Sequence, residues 1–328
     1  MERGARIYVA GHRGLVGSAI HRALRARGCQ NLILRTHAEL DLMRQEAVRE
    51  FFDRERPAYV VLAAAKVGGI AANDASPADF IRQNLAIQDN VIHESFRAGV
   101  KRLIFLGSSC IYPRDCPQPI KEEYLLTGPL EKTNRAYAIA KIAGIEMCGA
   151  YNEQYRTEYV CAMPTNLYGI GDNYDLATSH VLPALIRKAH EAKTAGKREM
   201  VAWGTGAPRR EFLLSDDLAR ACVTLLEKDW ASLLPALPSA RLPLINVGTG
   251  TDLTIRELTE LVGRVVGADC TIRWDTTKPD GTPRKLLDVS RMLSLGWRPE
   301  VPLEEGIAIA YRDFLARQGA STAAAQTL

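Results

Sequence analysis

Short apolar runs alternate with longer amphipathic stretches along the first half of the chain. The apolar runs are typical of strands buried on both faces, and they fall at residues 6–10, 32–34, 59–63, 102–106 and 159–163. Helical periodicity follows the first run as far as residue 27 and returns over residues 77–98 and 134–155. This alternation predicts an α/β fold with a doubly wound parallel sheet, in which ligands bind beyond the carboxyl ends of the strands.

The pattern becomes less regular after residue 171. It predicts helices at 179–193, 215–227, 254–266 and 303–318, strands at 200–202 and 244–247, and a proline-rich connection at 230–243. We expect a first domain over residues 1–170, to which the chain returns near 211–247, and a smaller mixed lobe over 171–318. The tail at 319–328 is rich in alanine and threonine and is expected to be disordered.

Composition excludes several classes of function. The 328 residues are 47% hydrophobic, and 42 basic and 38 acidic residues are interspersed to give a net charge of +4. This balance does not favour nucleic acid or membrane as a partner. The chain has no apolar run long enough for a membrane span and no signal peptide, so we expect a cytoplasmic protein. Its seven cysteines form no CxxC pair, which argues against disulfides and against a metal site.

A glycine-rich turn follows the first predicted strand. Its GxxGxxG spacing lets the backbone approach a pyrophosphate and presents a helix N-terminus to it, which predicts a dinucleotide site. The alternative is a tight structural turn. The expected cofactor residues in this turn are Gly11, His12, Arg13, Gly14, Leu15, Val16 and Gly17.

Arg35 lies where an acidic residue would hold the ribose hydroxyls of NAD. A cation there indicates a 2′-phosphate, and therefore NADP(H), with Arg13 as a second cation. In the alternative interpretation Glu39 takes the ribose and Arg35 is solvated. Further cofactor contacts are expected beside the adenine and at the strand ends, at Asp41, Leu42, Ala63, Ala64, Leu106, Gly107, Pro164, Thr165, Asn166 and Leu167.

Tyr137 and Lys141 form a YxxxK pair on a predicted helix for which Asn134 is a plausible N-cap. They lie one turn apart on one face, and a nearby cation favours phenolate, so the pair could exchange a proton close to neutral pH. Ser108 would hydrogen-bond the same reacting oxygen. The alternative for the pair is a solvated helix face.

Six segments together identify a family. GHRGLVGS, LAAAKVGG, FLGSSCIYP, YAIAKIAGIEMC, MPTNLYG and KPDGTPRKLLDV occur in this order. With them the chain resembles the extended short-chain dehydrogenase/reductases, which have a Rossmann fold, and among these the GDP-L-fucose synthases. The resemblance implies conversion of GDP-4-keto-6-deoxy-D-mannose to GDP-L-fucose, by inversion at carbons 3 and 5 and reduction of the carbon-4 ketone with NADPH.

The same resemblance implies roles for further residues. Cys110 and His180 match the family's catalytic cysteine and histidine, and we expect the thiol to be the base and the imidazole the acid. Tyr137 would protonate the ketone oxygen, while Lys141 binds the nicotinamide ribose and His180 also borders the cofactor. Without the resemblance, Cys110 is a buried structural thiol and His180 a helix cap or surface residue.

Substrate contacts implied by the resemblance fall on Lys188, Trp203, Arg210 and Asp280. Cations suit a diphosphate, and the indole offers a flat apolar surface. The alternatives are Trp203 in the core, Lys188 on a solvated helix face, and Arg210 paired with a neighbouring carboxylate. Lys188 replaces an arginine common in the family and lacks the bidentate fork.

Two competing functions remain at this point. One is a related enzyme on GDP or other nucleotide sugars, namely a 4-epimerase, a 4,6-dehydratase or a 4-ketosugar reductase. Cys110 discriminates best between them, because a 4-epimerase needs no thiol base. A dehydratase would carry an acidic pair after the active-site hydroxyl, where Cys110 and Ile111 follow Ser108 and Ser109 here. The other is a non-catalytic NADPH-binding protein, against which the intact Ser108, Tyr137 and Lys141 argue. The resemblance also implies a homodimer, formed through the helices at 77–98 and 134–155.

Overall fold

The computed structural model describes residues 1–278 and 280–325. Its strands, in chain order, are β1 (Ile7–Ala10), β2 (Leu32–Ile33), β3 (Tyr59–Leu62), β4 (Arg102–Leu106), β5 (Glu158–Pro164), β6 (Asn166–Tyr168), β7 (Glu199–Trp203), β8 (Arg209–Arg210), β9 (Phe212–Leu214), β10 (Leu244–Val247), β11 (Leu253–Thr254), β12 (Thr271–Asp275) and β13 (Arg284–Lys285). Its helices are α1 (Leu15–Ala26), α2 (Gln45–Glu55), α3 (Ile70–Ala75), α4 (Pro77–Arg97), α5 (Arg135–Tyr155), α6 (Val181–Thr194), α7 (Ser215–Glu227), α8 (Trp230–Leu233), α9 (Ile255–Val266), α10 (Ser290–Ser294) and α11 (Leu303–Ala325).

Six strands form the main sheet in the order β10-β5-β4-β3-β1-β2, and every neighbouring pair is parallel. Most of these strands are buried along their length because helices cover both faces of the sheet. Helices α1 and α7 pack on one face, and α2, α4 and α5 pack on the other. The predicted doubly wound parallel fold is confirmed.

Three small sheets lie in the second half of the chain. Strands β11, β8 and β13 form a mixed sheet, while β12 pairs with β7 and β6 pairs with β9. Helices α6, α9 and α11 pack around a separate apolar core beside them. Helix α9 begins with a capping box in which Thr254 and Glu257 bond each other's backbone N–H groups. The mixed character expected for this part is therefore present.

Some predicted boundaries were wrong. The last helix was expected to end at residue 318, but α11 continues to Ala325, so the tail expected to be disordered is helical that far. Its alanines have the highest helix propensity of any residue. Residues 326–328 lie outside the described residues. Helix α2 was not predicted, and the 230–243 connection contains the short helix α8. Among the described helices, none is long and apolar enough to cross a membrane.

Candidate active site

Two glycines shape the turn between β1 and α1. Gly11 has a φ of +82°, and a Cβ there would lie 2.7 Å from the Ala64 amide nitrogen. A Cβ on Gly17 would lie 2.1 Å from the Gly11 carbonyl oxygen. The turn is therefore open only to glycine at both positions. Since the first N–H groups of a helix have no acceptor within the helix, the start of α1 suits a pyrophosphate.

The cluster at the end of β2 suits a phosphate as well. Burial and the charge of Arg13 lower the pKa of His12, and His12 Nδ1 is buried with no hydrogen-bond partner in the described part of the chain. Arg35 and Glu39 lie close enough to alter this pKa too. An unpartnered ring nitrogen close to the charge of Arg13 matches the needs of a 2′-phosphate.

The alternative interpretation, in which Arg35 is solvated, does not describe the structure. Its Nη2 donates to Glu55 Oε1 at 2.7 Å. The Glu39 carboxylate, in turn, accepts bonds from the Thr36 amide at 2.7 Å and the Thr36 hydroxyl at 2.8 Å. Glu39 is therefore engaged within its own loop, which does not support its proposed role on the ribose.

The other expected cofactor residues lie at the ends of strands and in the segments that follow them. A Cβ on Gly107, just after β4, would lie 1.9 Å from Met163 Cε, so the chain passes closely there. Past β5, the Thr165 hydroxyl and the Asn166 amide both donate to the Glu211 carbonyl, at 3.1 and 2.8 Å. The remaining members are Asp41, Leu42, Ala63, Ala64, Leu106, Pro164 and Leu167.

Ser108, Cys110, Tyr137 and Lys141 come together beside these strand ends. Ser108 caps a 3₁₀ turn over Ser109–Ile111, and its hydroxyl accepts from the Cys110 amide at 3.4 Å. The Ser108 hydroxyl lies close enough to the Tyr137 phenol to act on its pKa. Lys141 Nζ donates to the Leu106 carbonyl at 2.7 Å and lies 5.9 Å from the Tyr137 ring centroid. The solvated-face interpretation fails, because Lys141 is only 3% exposed.

One expectation about this helix, the direction of the Tyr137 pKa shift, was wrong. Burial raises the pKa of Tyr137 above its ordinary value, whereas the sequence predicted a fall. The ammonium of Lys141 is directed at the Leu106 carbonyl, and burial lowers the pKa of Lys141 to about 8. Asn134 does stand at the N-cap of α5, but its side chain makes no capping bond, because a 3₁₀ turn at Lys132–Asn134 leads into the helix.

The thiol of Cys110 is 6% exposed, in the same turn as Ser108. Burial raises the pKa of the Cys110 thiol, while the Lys285 ammonium, the Ser108 hydroxyl and the Lys141 ammonium act to lower it. The thiol thus faces two cations and the hydroxyl that would hold a reacting oxygen. The two cations therefore offset part of the effect of burial and favour the thiolate form.

His180 is the N-cap residue of α6. Its side chain makes no capping bond, and burial lowers its pKa. The preceding loop lies against the 68–69 loop, where the Gly69 amide donates to the Thr178 carbonyl at 3.4 Å. Within the described chain, His180 has no hydrogen bond or ion pair with Cys110 or Tyr137. Its imidazole donates a proton from the protonated form and accepts one in the neutral form.

Trp203 and two lysines form an exposed platform on the C-terminal part. Trp203 is 56% exposed, so it is not a core residue. Lys188 Nζ lies 4.8 Å from its ring centroid and donates to the Val201 carbonyl at 3.1 Å. Lys278 Nζ lies 5.5 Å from the same ring. An exposed indole held by cations suits a flat, anionic ligand.

Arg210 and Asp280 lie near this platform. Burial lowers the pKa of Arg210, while the charge of Asp280 acts to raise it. Asp280 itself accepts from the Thr205 amide at 3.0 Å and the Thr205 hydroxyl at 2.6 Å. Arg209 instead pairs with Asp252 at 2.9 Å. Of the two adjacent arginines, Arg210 has no ion pair among the described residues and is the one available to an anion.

Lys285 was missed by the sequence analysis. It is the β13 partner of Arg210 on β8, and its ammonium is the charge that acts most strongly to lower the pKa of the Cys110 thiol. The only signal was its place in the KPDGTPRK segment. The described residues contain no group of three or more side chains suited to a metal ion. All seven cysteines are free thiols.

Comparisons with known proteins agree with this geometry. Residues 7–233 match the model of the NAD dependent epimerase/dehydratase family. The chain is 57% identical to GDP-L-fucose synthase 1 of Arabidopsis thaliana over 96% of its length and 94% of the relative's. It is 52% identical to GDP-L-fucose synthase of Escherichia coli, over 95% and 97% of the two chains.

A solved structure is similar over nearly the whole fold. GDP-mannoheptose C4 reductase from Campylobacter jejuni, with NADP bound, is 42% identical, has a TM-score of 0.87, and covers 96% of this chain and 99% of its own. Together with the glycine turn and the buried serine, tyrosine and lysine, these similarities define the family. The chain belongs to the NAD dependent epimerase/dehydratase family and, within it, to the GDP-L-fucose synthases.

Proposed function

We propose that the protein converts GDP-4-keto-6-deoxy-D-mannose to GDP-L-fucose, by epimerisation at carbons 3 and 5 followed by NADPH-dependent reduction of the carbon-4 ketone. The observation that carries this proposal is the Cys110 thiol, which lies in one turn with Ser108 and beside Tyr137. A ketone held by the two hydroxyls would place its neighbouring carbons within reach of a base.

Epimerisation needs a base, an acid and stabilisation of an enolate. Hydrogens next to a ketone are acidic because the resulting charge spreads onto oxygen, where Tyr137 and Ser108 donate hydrogen bonds. Cys110, as thiolate, takes the proton from carbon. His180, as imidazolium, returns a proton to the opposite face from a different element of the fold, and solvent then reprotonates the neutral imidazole.

In the reduction step, the same ketone oxygen at carbon 4 accepts a proton. Because burial raises the pKa of Tyr137, its phenol is protonated at neutral pH and is suited to donate that proton to the developing alkoxide. Lys141, half-neutralised near pH 8 by burial, can resupply the proton from below the ring. NADPH supplies the hydride. The glycine turn and the His12–Arg35 cluster fit this cofactor. The similar heptose reductase binds NADP, which agrees with this assignment.

The GDP moiety is assigned to the C-terminal part. Trp203 offers a stacking surface for guanine, and Lys188 and Arg210 offer charge to the diphosphate. We assign residues 1–170 and the return near 211–247 mainly to the cofactor, and residues 171–318 mainly to the substrate. Asp280 orders the Thr205 loop beside Arg210.

Replacing Arg35 by glutamate should shift coenzyme preference from NADPH toward NADH by about 10- to 100-fold in the ratio of kcat/KM values, because a charge-assisted bond to the 2′-phosphate is lost. Glu55 keeps its bond to Arg6 at 2.7 Å, so the fold should survive. Arg54→Glu, the same charge reversal at an exposed position on α2, is the matched control. An unchanged ratio in Arg35→Glu would show that Arg35 does not recognise the 2′-phosphate.

A simple ketoreductase is the second candidate, favoured by the similarity to the heptose C4 reductase. Incubation with the ketosugar and NADPH, followed by chromatography against authentic GDP-L-fucose, separates the two candidates. GDP-L-fucose as product supports the proposal. A reduced sugar with the D-manno configuration retained at carbons 3 and 5 refutes it.

We further propose a cytoplasmic homodimer that buries one face of α4 and α5. Leu85 and Ile139 are large exposed apolar residues on these helices. A groove of about 410 Å³ lies between the helices, lined by Leu85, Ala86, Gln88, Asp89, Ala143 and Met147. Light scattering should give twice the chain mass of 36.1 kDa, and a monomer at micromolar concentration would contradict this assembly.

A further inference from the structure

The side chain of Glu211 is fully buried at the point where the chain leaves β8. Its Oε1 accepts from the Thr249 and Gly250 amides at 2.5 and 2.7 Å, and its Oε2 accepts from the Leu287 amide at 3.0 Å. Burial raises the pKa of Glu211, while these amides act to lower it. Both oxygens of this carboxylate therefore bind backbone N–H groups and hold separate segments of the chain together.

The segments that Glu211 holds belong to the two strands beside β8. Thr249 and Gly250 lie between β10 and β11, and Leu287 follows β13 by two residues. In the small mixed sheet, β11 and β13 are the two neighbours of β8. One carboxylate thus fixes β8 to the approach to one neighbour and to the exit from the other.

This sheet needs such support, because its three strands have only two residues each and carry charges that repel. The register places Arg284 beside Arg209 and Lys285 beside Arg210, and like charges at paired positions destabilise a sheet. Asp252 offsets the first pair, since it accepts from Arg209 at 2.9 Å and also from Arg284. The second pair has no such ion pair in the described part of the chain.

Arg210 depends on the backbone of β8 for its direction. Its Nη1 donates to the Arg209 carbonyl at 2.8 Å, which ties the guanidinium to the strand itself. A shift of β8 would therefore move the guanidinium with it. Recognition of a phosphate by an arginine depends on the direction of its planar fork, so such a shift would weaken binding of a diphosphate.

We infer that Glu211 is a positioning residue for the GDP-sugar, which acts through β8 to hold Arg210 towards the diphosphate. The inference rests on the proposed function, in which Arg210 binds this diphosphate. Removal of the carboxylate would leave buried amides without an acceptor on one or both sides of β8, and the short strands would lose the bonds that fix them.

Glu211→Gln is the substitution that tests this role. Glutamine has nearly the same size, but because both carboxylate oxygens accept from N–H groups, its own NH₂ must face at least one of these donors. We expect the Kd for GDP to rise about tenfold, while the Kd for NADPH changes little. Both are measured by titration calorimetry on the full-length protein. An unchanged Kd for GDP in the folded variant would overturn the inference.

The same substitution in an Arg210→Met background distinguishes positioning from a general loss of stability. Arg210→Met alone should weaken GDP binding, and an unchanged Kd would refute both its assignment to the diphosphate and the inference. If Glu211 acts through Arg210, Glu211→Gln should have no further effect on GDP binding once the guanidinium is absent. A further loss of about tenfold in the double variant would contradict this action.

Asp217 provides a matched control. It is another fully buried carboxylate that accepts from two backbone amides, those of Glu300 and Val301, at 3.2 Å each. Asp217→Asn should lower stability and leave the Kd for GDP unchanged, whereas a rise equal to that in Glu211→Gln would overturn the inference. If Glu211→Gln does not fold, Gly248→Ala replaces it, because a Cβ there would lie 2.3 Å from Glu211 Oε1 and would displace the carboxylate.

Binding of GDP and NADPH requires no turnover, so the proposed reaction is tested separately. Coupling between Glu211 and Arg210 in a protein that makes no GDP-L-fucose from the ketosugar would refute the proposed function and still support the positioning role. GDP-L-fucose formation without this coupling would support the proposed function and refute the positioning role.

Discussion

Tyr137→Phe is expected to lose ketone reduction while keeping solvent exchange at the sugar. Without the phenolic proton, the alkoxide formed at carbon 4 loses its general acid, and reduction should fall by about a hundred- to ten-thousand-fold. Ser108 still hydrogen-bonds the oxygen and Cys110 still removes protons, so exchange at carbons 3 and 5 should persist at a reduced rate. NADPH oxidation and deuterium incorporation are measured in parallel.

Tyr159→Phe is the matched control for this change. The Tyr159 hydroxyl is buried without a hydrogen-bond partner in the described part of the chain, so removing it should spare both activities. If Tyr137→Phe loses exchange and reduction to the same extent, the division of labour between Tyr137 and Cys110 is wrong.

Cys110→Ser should have the opposite effect to Tyr137→Phe: solvent exchange at the sugar is lost while ketone reduction is kept. A hydroxyl is a much weaker acid than a thiol and is not ionised near neutral pH, so the base is lost while the shape of the turn is kept. Deuterium incorporation at the sugar should fall by about a hundredfold or more, whereas NADPH-dependent reduction of the unepimerised ketone continues. The product should be identified by NMR, because NADPH consumption alone does not report epimerisation.

Cys222→Ser provides a reference for Cys110→Ser. Cys222 is a fully buried thiol on α7, on the opposite side of the sheet from α5. Its replacement costs stability but should leave the ratio of exchange to reduction unchanged. Wild-type exchange in Cys110→Ser would make Cys110 a structural residue and would move the base elsewhere.

The parts of the fold that could be predicted depend on local signals. Gly11 and Gly17 stand next to a buried strand and an amphipathic helix, and that arrangement alone defines the cofactor turn. Helix α2 carried a comparable signal in Val48, Phe51 and Phe52 at helical spacing, which the analysis overlooked. The two-residue strands β8 and β13 carry no periodicity, because their pairing is set by tertiary contacts.

The sequence allowed the residues of the site to be identified, but it did not allow their pKa shifts to be predicted. Ser108, Tyr137 and Lys141 could be found from their spacing and come together as expected. The direction of the Tyr137 pKa shift could not be predicted, because it depends on how deeply α5 is buried and on where the Lys141 ammonium points. Lys285 escaped notice because its approach to Cys110 depends on the pairing of β13 with β8.

The most direct measurement of the central claim uses the wild-type protein. It is incubated with GDP-4-keto-6-deoxy-D-mannose and NADPH in heavy water, and the product is analysed by NMR. We expect GDP-L-fucose carrying deuterium at carbons 3 and 5, since each inversion exchanges a carbon-bound hydrogen with solvent. A reduced sugar without deuterium at either carbon would contradict the account and would make the protein a simple ketoreductase.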